Sequence, residues 1–484
     1  MLNKKFSFLV FLFLITALLA ACTAPATPAP ATPAPSSPST EGAQPAAEPT
    51  KEQAVSTQIP QPTEPPAKPA ATQAEEITLK VWDIFVRSEE NAIMQKLVDD
   101  FQAKHPNVKV VREAKNLDDL KVATSLALSG NDGPDIVMVN QGESDMGALV
   151  KAGLLLPLDD VAKQYGWLEK YPTVLARLNR WKPDGSQMGE GNLYGISIQG
   201  ELVGVFYRKD IFKKEGLSVP KTFDEFEAIL AALKAKGETP IVFGNLDKWP
   251  AIHTYSELQN VYQASREWYD EFMYTSGKVD FNTPENLQAA QKLVEWVDKG
   301  YFLENFAGIG YDDSWQLFSN GTGVMVLSGN WLGTELLGGP NADKMGLFLL
   351  PPLKEGGFKL AVGGQGTAFA INAKTPYKDL AAEYINYLFS EETAKALLQQ
   401  GSLPIYPLDT SFLKEGLTKD IVDAWKQLNE ANAIGYYMDW VTPTMYDTIT
   451  SSLQSLLGKQ ITPQEFITKV NDDYTTFLKE KGVR

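Results

Sequence analysis

The chain has 484 residues, too many for one small domain and enough for two lobes of ordinary size. Its formal net charge is −16, and no Lys/Arg-rich face with interleaved aromatics appears, which argues against nucleic acid as a partner. One cysteine, Cys22, excludes a disulfide framework and a cysteine-based metal site.

The first 21 residues read as a leader, outside the fold. Lys4 and Lys5 precede an apolar run over 6–19 that is too short for a comfortable membrane span. The run ends in Leu19-Ala20-Ala21-Cys22, which resembles the lipobox of bacterial lipoproteins. That resemblance implies a lipoprotein signal peptide over 1–21, cut before Cys22, whose thiol then carries lipid. Residues 22–75 repeat Pro, Ala, Thr and Ser and hold almost nothing that could enter a core, so they read as a disordered tether. A cytosolic chain with a fortuitous apolar start is the competing reading, and the basic–apolar–small–Cys order disfavours it.

Alternation over 77–82 predicts a strand with a polar tip at Trp82 and Asp83. Residues 89–105 follow with Ile93, Leu97, Val98 and Phe101 on one face, the spacing of an amphipathic helix. Pro106 breaks it. Residues 108–111 give a second strand, and 117–128 a helix closed by Gly130. The third strand, 134–139, is tipped by Asn140, Gln141, Gly142 and Glu143. This rhythm predicts an α/β fold with a mostly parallel sheet, whose ligands gather at the carboxyl ends of strands. Residues 148–165 read as a helix, a Gly stop and a second helix near Asp159.

Residues 192–210, NLYGISIQGELVGVFYRKD, are too apolar at 193–207 for a surface loop. They carry Gly195, Gly200, Gly204 and one buried-looking carboxylate, Glu201. Glycines in a strand pattern mark bends or close backbone approach, and a buried carboxylate needs partners. The stretch reads as a crossing between two lobes, with Glu201 facing the space between them. An ordinary strand with a solvated glutamate is the reading the stretch alone leaves open. Thr222, with Glu225 three residues on, predicts a capping box ahead of a helix over 223–236.

Residues 240–244 predict a strand tipped by Asn245, Asp247 and Trp249, and helices follow over 253–274 and 283–299. The segment 305–327 passes Asp313 and a helix to a strand ending in Ser328-Gly329-Asn330-Trp331. A strand over 345–352, a Gly-rich strand over 363–371 containing Gln365, and one long helix over 377–400 come next. A further crossing at 401–404 and a helical remainder bearing Trp440 and Tyr446 complete the chain.

The Gly-rich crossing, GTGVMVLSGNW at 321–331 and SGNDGPDIVMV at 129–139 stand in one consistent order within 76–484. Together they resemble the bacterial extracellular solute-binding proteins that serve ABC importers of oligosaccharides, of the maltose-binding kind. The resemblance implies a two-lobe periplasmic-binding-protein fold of type II with a ligand cleft between the lobes. The N-terminal lobe would span 76–199, completed by about 363–403, and the C-terminal lobe 200–362, completed by about 404–484. It implies a binding protein and not an enzyme, anchored by lipid outside the cytoplasm, at the cell surface or in the periplasm. Such a monomer presents a mono- or oligosaccharide to the transmembrane subunits of an ABC permease, without cofactor or metal. Trp331 would stack on the sugar, Glu201 would bond its hydroxyls, and Asp247 and Trp249 would line the cleft. Asn140, Gln141, Glu143, Trp82 and Asp83 fall where the family places contacts. Asn245, Asp313, Gln365, Trp440 and Tyr446 complete the candidate set.

The chemistry of the residues agrees. Sugars present apolar ring faces and rims of hydroxyls, so a site needs flat aromatics and Asp, Glu, Asn or Gln. A neutral ligand also accounts for the lack of an Arg cluster. His253, at a helix start, reads as packed or capping, and His105 as a surface helix end. A glycoside hydrolase would need two carboxylates roughly 5–9.5 Å apart. Glu201 with Asp247, or Asp312 with Asp313, are the pairs to consider. However, no nucleophile elbow, P-loop or HExxH is present, and two histidines leave little for base catalysis. A receptor for a peptide, a polyamine or a metal competes with the sugar reading, as does a sensor subunit. A metal would call for more His or clustered carboxylates, and a polyamine for more cleft acids.

Overall fold

The computed structural model describes residues 76–484. The expected signal peptide, the lipidation site Cys22 and the tether lie outside the described residues. Strands β1 (Ile77–Asp83), β2 (Val108–Ala114) and β3 (Ile136–Val139) come first. β1 runs parallel to both neighbours, with Leu79 opposite Val110 and Val81 opposite Ile136. The two-residue period buries Leu79, Val81 and Asp83 together. Helices α1 (Ser88–Lys104) and α2 (Leu117–Ser129) make the crossovers, and Asn116 caps α2 by accepting the Asp119 N–H.

A short ribbon, β4 (Arg180–Trp181) with β5 (Asn192–Leu193), precedes the hub of the second sheet. That hub is β6 (Gly200–Arg208), which pairs with β7 (Met325–Gly329), β8 (Met345–Phe348) and β9 (Gly363–Gln365). All three pairings are antiparallel, so the parallel rhythm of residues 77–139 does not extend to this sheet. β10 (Ala368–Ile371) instead joins the first sheet, antiparallel to β3. The single strand expected over 363–371 is therefore two strands in two sheets, with Gly366 and Thr367 as the passage between them. Two more passages lie beside it. Gly200 N–H donates to Leu403 O at 2.8 Å, Ile405 N–H to Ile198 O at 3.0 Å, and Gly366 N–H to Gln199 O at 3.0 Å.

Other expectations are corrected in detail. Residues 240–244 are extended but form no strand; Ile241 makes isolated bridges to Phe302 and Met325. The long helix over 377–400 is two, Lys378–Leu388 and Glu391–Gln399, restarted by Ser390, which caps the second. The helix over 253–274 begins earlier, as α3 (Pro250–Gln263), and is broken where Ala264 adopts φ 39° before Arg266–Met273. The capping box at Thr222 is half made. Thr222 accepts the Glu225 N–H at 3.2 Å, but the Glu225 carboxylate takes the Lys221 N–H at 2.7 Å. The complete box is at Thr462 and Glu465.

α3 is buried along nearly its whole length. Trp249, His253 and Glu257 recur every four residues and so share one face. Glu257, 1% exposed, accepts the Val362 N–H at 2.6 Å and pins the helix to the strand entering the passage. Burial pushes its carboxyl up to about 8. Among the described residues no helix is long and apolar enough to cross a membrane.

Candidate functional site

Alternation along β6 turns Gly200 to one side of the crossing and Glu201 to the other. Glu201 is half-buried, and its Oε2 accepts the Tyr437 hydroxyl at 2.9 Å. Gly366 in the adjacent passage lies so close that a Cβ there would stand 2.9 Å from Glu201 Oε1. No cation is bonded to this carboxylate among the described residues. Burial pushes its pKa up to about 7, against the lowering effect of the Tyr437 hydrogen bond.

An aromatic wall stands beside it. β7 ends at Gly329, and Trp331 follows two residues on. Its indole N–H donates to the Tyr311 hydroxyl at 2.6 Å, which in turn lies 2.8 Å from Ser328 Oγ. Trp249 packs on Tyr311 at 4.3 Å between ring centroids and edge-on to Trp331 at 6.3 Å. His253, one turn along α3, lies 5.5 Å from both Trp331 and Tyr437, and Tyr437 lies 4.9 Å from Trp440. Trp249 and Trp331 are half-buried, while burial lowers the His253 pKa to about 3 and holds the ring neutral. The packed histidine expected from sequence is thus part of the wall. Asp247 serves the wall indirectly: its Oδ2 accepts the Tyr311 N–H at 2.6 Å and caps α4 (Tyr311–Ser319).

Charge enters from α1. Arg87 Nε bonds Asp312 Oδ1 at 3.1 Å, its Nη1 lies 3.7 Å from Glu90, and its guanidinium sits 5.5 Å above the Tyr311 ring. Glu90 is 5% exposed, and burial raises it to about 7 despite Arg87, with Glu335 and Glu201 adding repulsion. A second polar group adjoins Trp440. Asn140 donates to Asp145 at 3.3 Å, Lys121 reaches Asp145 at 3.2 Å, and Lys121 lies 4.1 Å above the Tyr446 ring. Asp439 is buried beside them, and its pKa rises to about 6.

Several candidates are placed elsewhere. Asp83 is 0% exposed and both its oxygens are taken by Arg112, one at 2.8 Å, with the Phe85 N–H adding a third bond at 3.0 Å. It therefore has nothing left for a ligand. Trp82 is half-buried under the Lys115 ammonium, 4.4 Å from its ring. Gln365 is wholly buried, bonding Leu175 O, Asn179 and Tyr171. Gln141 is wholly buried too, donating to Asn179 and Gly366 O. Both hold the passage in place. Asn245 is 1% exposed and accepts the Ala251 N–H, fixing the start of α3. Glu143 pairs with Lys481 at 2.9 Å, and Asp313 is exposed on α4. Trp440 is 3% exposed because Gly142, at φ 96°, packs against it; a Cβ on Gly142 would lie 2.6 Å from Trp440 Cα.

Sequence reasoning missed Tyr311, Tyr437, Arg87 and Glu90. Tyr437 stood in the aromatic run Tyr436-Tyr437-Met438-Asp439-Trp440, a signal that could have been weighted. Arg87 and Glu90 carried none, being one more charged pair at a helix start.

Flat rings beside an acceptor-only carboxylate suit a ligand with apolar faces and hydroxyl donors. Among the described residues no group of three His, Cys, Asp or Glu could hold a metal ion. Residues 87–395 match the family described as bacterial extracellular solute-binding protein. The chain is similar to the multiple sugar-binding protein of Streptococcus mutans, 24% identical over 68% of this chain and 75% of that one. It is similar as well to the melibiose/raffinose/stachyose-binding protein MelE of Bacillus subtilis, 21% identical over 82% and 89%. A solved chitin oligosaccharide binding protein superposes with a TM-score of 0.73, at 26% identity over 83% of this chain and 99% of that one.

Proposed function

Because this chain belongs to the bacterial extracellular solute-binding proteins, we propose that it is the lipid-anchored receptor of an ABC importer and binds a neutral oligosaccharide without turnover. The observation that carries this is the Trp249–Tyr311–Trp331–Tyr437 wall beside Glu201. The rings cover apolar sugar faces, and the carboxylate takes hydroxyl donors in place of the cation it lacks. The second group, Asn140, Asp145, Lys121 and Tyr446 beside the buried Trp440, offers polar atoms and a ring to further hydroxyls. Trp331, Trp249, Glu201, Asn140 and Tyr446 are the proposed contacts, with Arg87 added; the buried Tyr311, Tyr437 and Trp440 support them from behind. The fold holds its cleft between two lobes, and ligand selects the closed arrangement through contacts from both.

A thermal-shift screen against raffinose, stachyose, chitin and xylan oligosaccharides tests the class, with peptides and polyamines as controls and chromatography of the sugar to detect cleavage. A ligand at 100 times its Kd adds about 2.7 kcal/mol of stability. Stabilisation by one sugar family, recovered intact, is expected. Stabilisation by polyamines alone, or conversion of the sugar, overturns the reading.

A pH dependence follows from Glu201. Its pKa near 7 means that protonation competes with binding, since only the ionised form accepts hydroxyl donors on both oxygens. Affinity should therefore rise with pH through 7, by about tenfold between pH 6 and pH 8. Calorimetry across that range should show the slope, and Glu201→Gln should flatten it. A slope unchanged in Glu201→Gln would assign the titration to another raised carboxyl: Glu90 near 7, Asp439 near 6 or Glu257 near 8.

A further inference from the structure

On the side of the crossing opposite Glu201 lies a groove of about 310 Å³ that the cleft does not use. Gly200 is buried behind it: a Cβ there would meet the Trp425 ring at 3.0 and 3.1 Å. The floor is Leu403-Pro404-Ile405, the passage hydrogen-bonded to Ile198 and Gly200. Two half-buried aromatics flank the floor: Trp425, on α5 (Leu417–Glu430), and Tyr406, which packs edge-on to Phe389 at 5.4 Å. Among the described residues neither the Trp425 indole N–H nor the Tyr406 hydroxyl has a hydrogen-bond partner. Lys170, 5.2 Å from the Tyr406 ring, Asn429 and Glu430 form a polar rim.

We propose that this groove is a second carbohydrate site, which takes a single pyranose ring on the face of Trp425. The chemistry is that of a sugar platform: flat apolar faces, free edge donors beside them, and an amide, an ammonium and a carboxylate around. The volume stands at the low end for small-molecule sites and fits one ring. Lys170 belongs to the chain before the crossing and Trp425 to the chain after it, so the groove spans both sides of the hinge. Closing the lobes on the Glu201 side spreads this side, and a ring that bridges both walls resists the spreading and so disfavours the closed arrangement. That linkage rests on the solute-binding reading above; the site itself does not.

The test uses the full chain labelled with 5-fluorotryptophan, with Trp331→Ala disabling the cleft, and Glu201→Gln as a second background should that variant fold poorly. Trp425→Phe identifies the Trp425 fluorine resonance. Titration with methyl β-D-glucopyranoside and methyl β-D-galactopyranoside should move that resonance saturably, at a millimolar midpoint. Tyr406→Ala should raise the midpoint roughly fivefold. An unmoved Trp425 resonance, or movement without saturation, overturns the site. Small-angle scattering of the same variant should show no compaction at saturation, and compaction alongside a saturable shift overturns the linkage. The cleft is read separately, in the wild-type chain, from Trp249 and Trp331 with the oligosaccharides above, so failure there and failure here are distinct.

Discussion

Trp331→Ala is expected to weaken oligosaccharide binding by about 2–3 kcal/mol, roughly 30- to 150-fold in Kd. The ring is half-buried and held from behind, its N–H on the Tyr311 hydroxyl at 2.6 Å and its edge toward Trp249. That support fixes the ring's orientation before ligand arrives, so little rotamer entropy is lost on binding and most of the stacking energy appears as affinity. Trp331→Phe keeps a ring but loses the N–H, and should recover more than half of the loss. Calorimetry with the oligosaccharide identified by the thermal screen gives the comparison. Equal binding by wild type and Trp331→Ala, both folded, would move the sugar platform away from this wall.

The fold was legible to different depths in its two sheets. In the first, each strand is followed by a helix and the pattern changes period visibly at Asp83, Pro106 and Gly130. Local signals suffice there because parallel neighbours need a crossover, and the crossover helix announces itself. The second sheet is built on β6, whose partners come from 325–329, 345–348 and 363–365. Antiparallel pairing between segments more than 100 residues apart leaves no mark in a local window. The split of 363–371 between two sheets was hidden for the same reason: one apolar Gly-rich run looks the same whether it pairs with one partner or with two.

For the site, residues that act through their faces were easier to find than those that act through their edges. Trp331 and Trp249 stand out because aromatics in loop-like sequence have few structural reasons to be there. Gln141, Gln365 and Asn245 sit at equally suggestive positions, yet each commits its amide to backbone or to another amide. A polar side chain near a crossing can serve either the ligand or the irregular backbone, and sequence does not say which. Asp247 shows the intermediate case, since it orders Tyr311 and so shapes the wall from outside.

Asp83→Ala carries the largest expected effect on stability, about 3–5 kcal/mol. Asp83 is 0% exposed and the Arg112 side chain 5%, so the mutation strands a guanidinium in a nearly dry place. Burial lifts the Asp83 carboxyl above the ordinary aspartate range even with Arg112 against it. Desolvation is therefore comparable to the attraction: the intact pair adds little net stability, and the penalty falls on the group left behind. Urea denaturation should show the lower midpoint with an unchanged slope. Replacing both residues together, as Asp83→Leu with Arg112→Met, should recover most of the loss, because no buried charge then lacks a partner. At a temperature where Asp83→Ala remains folded, its Kd for the oligosaccharide should stay within about twofold of wild type, well under the tenfold that 1.4 kcal/mol represents. A tenfold weaker Kd with stability intact would instead make Asp83 the sugar contact its strand-tip position first suggested, and would require the Arg112 pair to open when ligand binds.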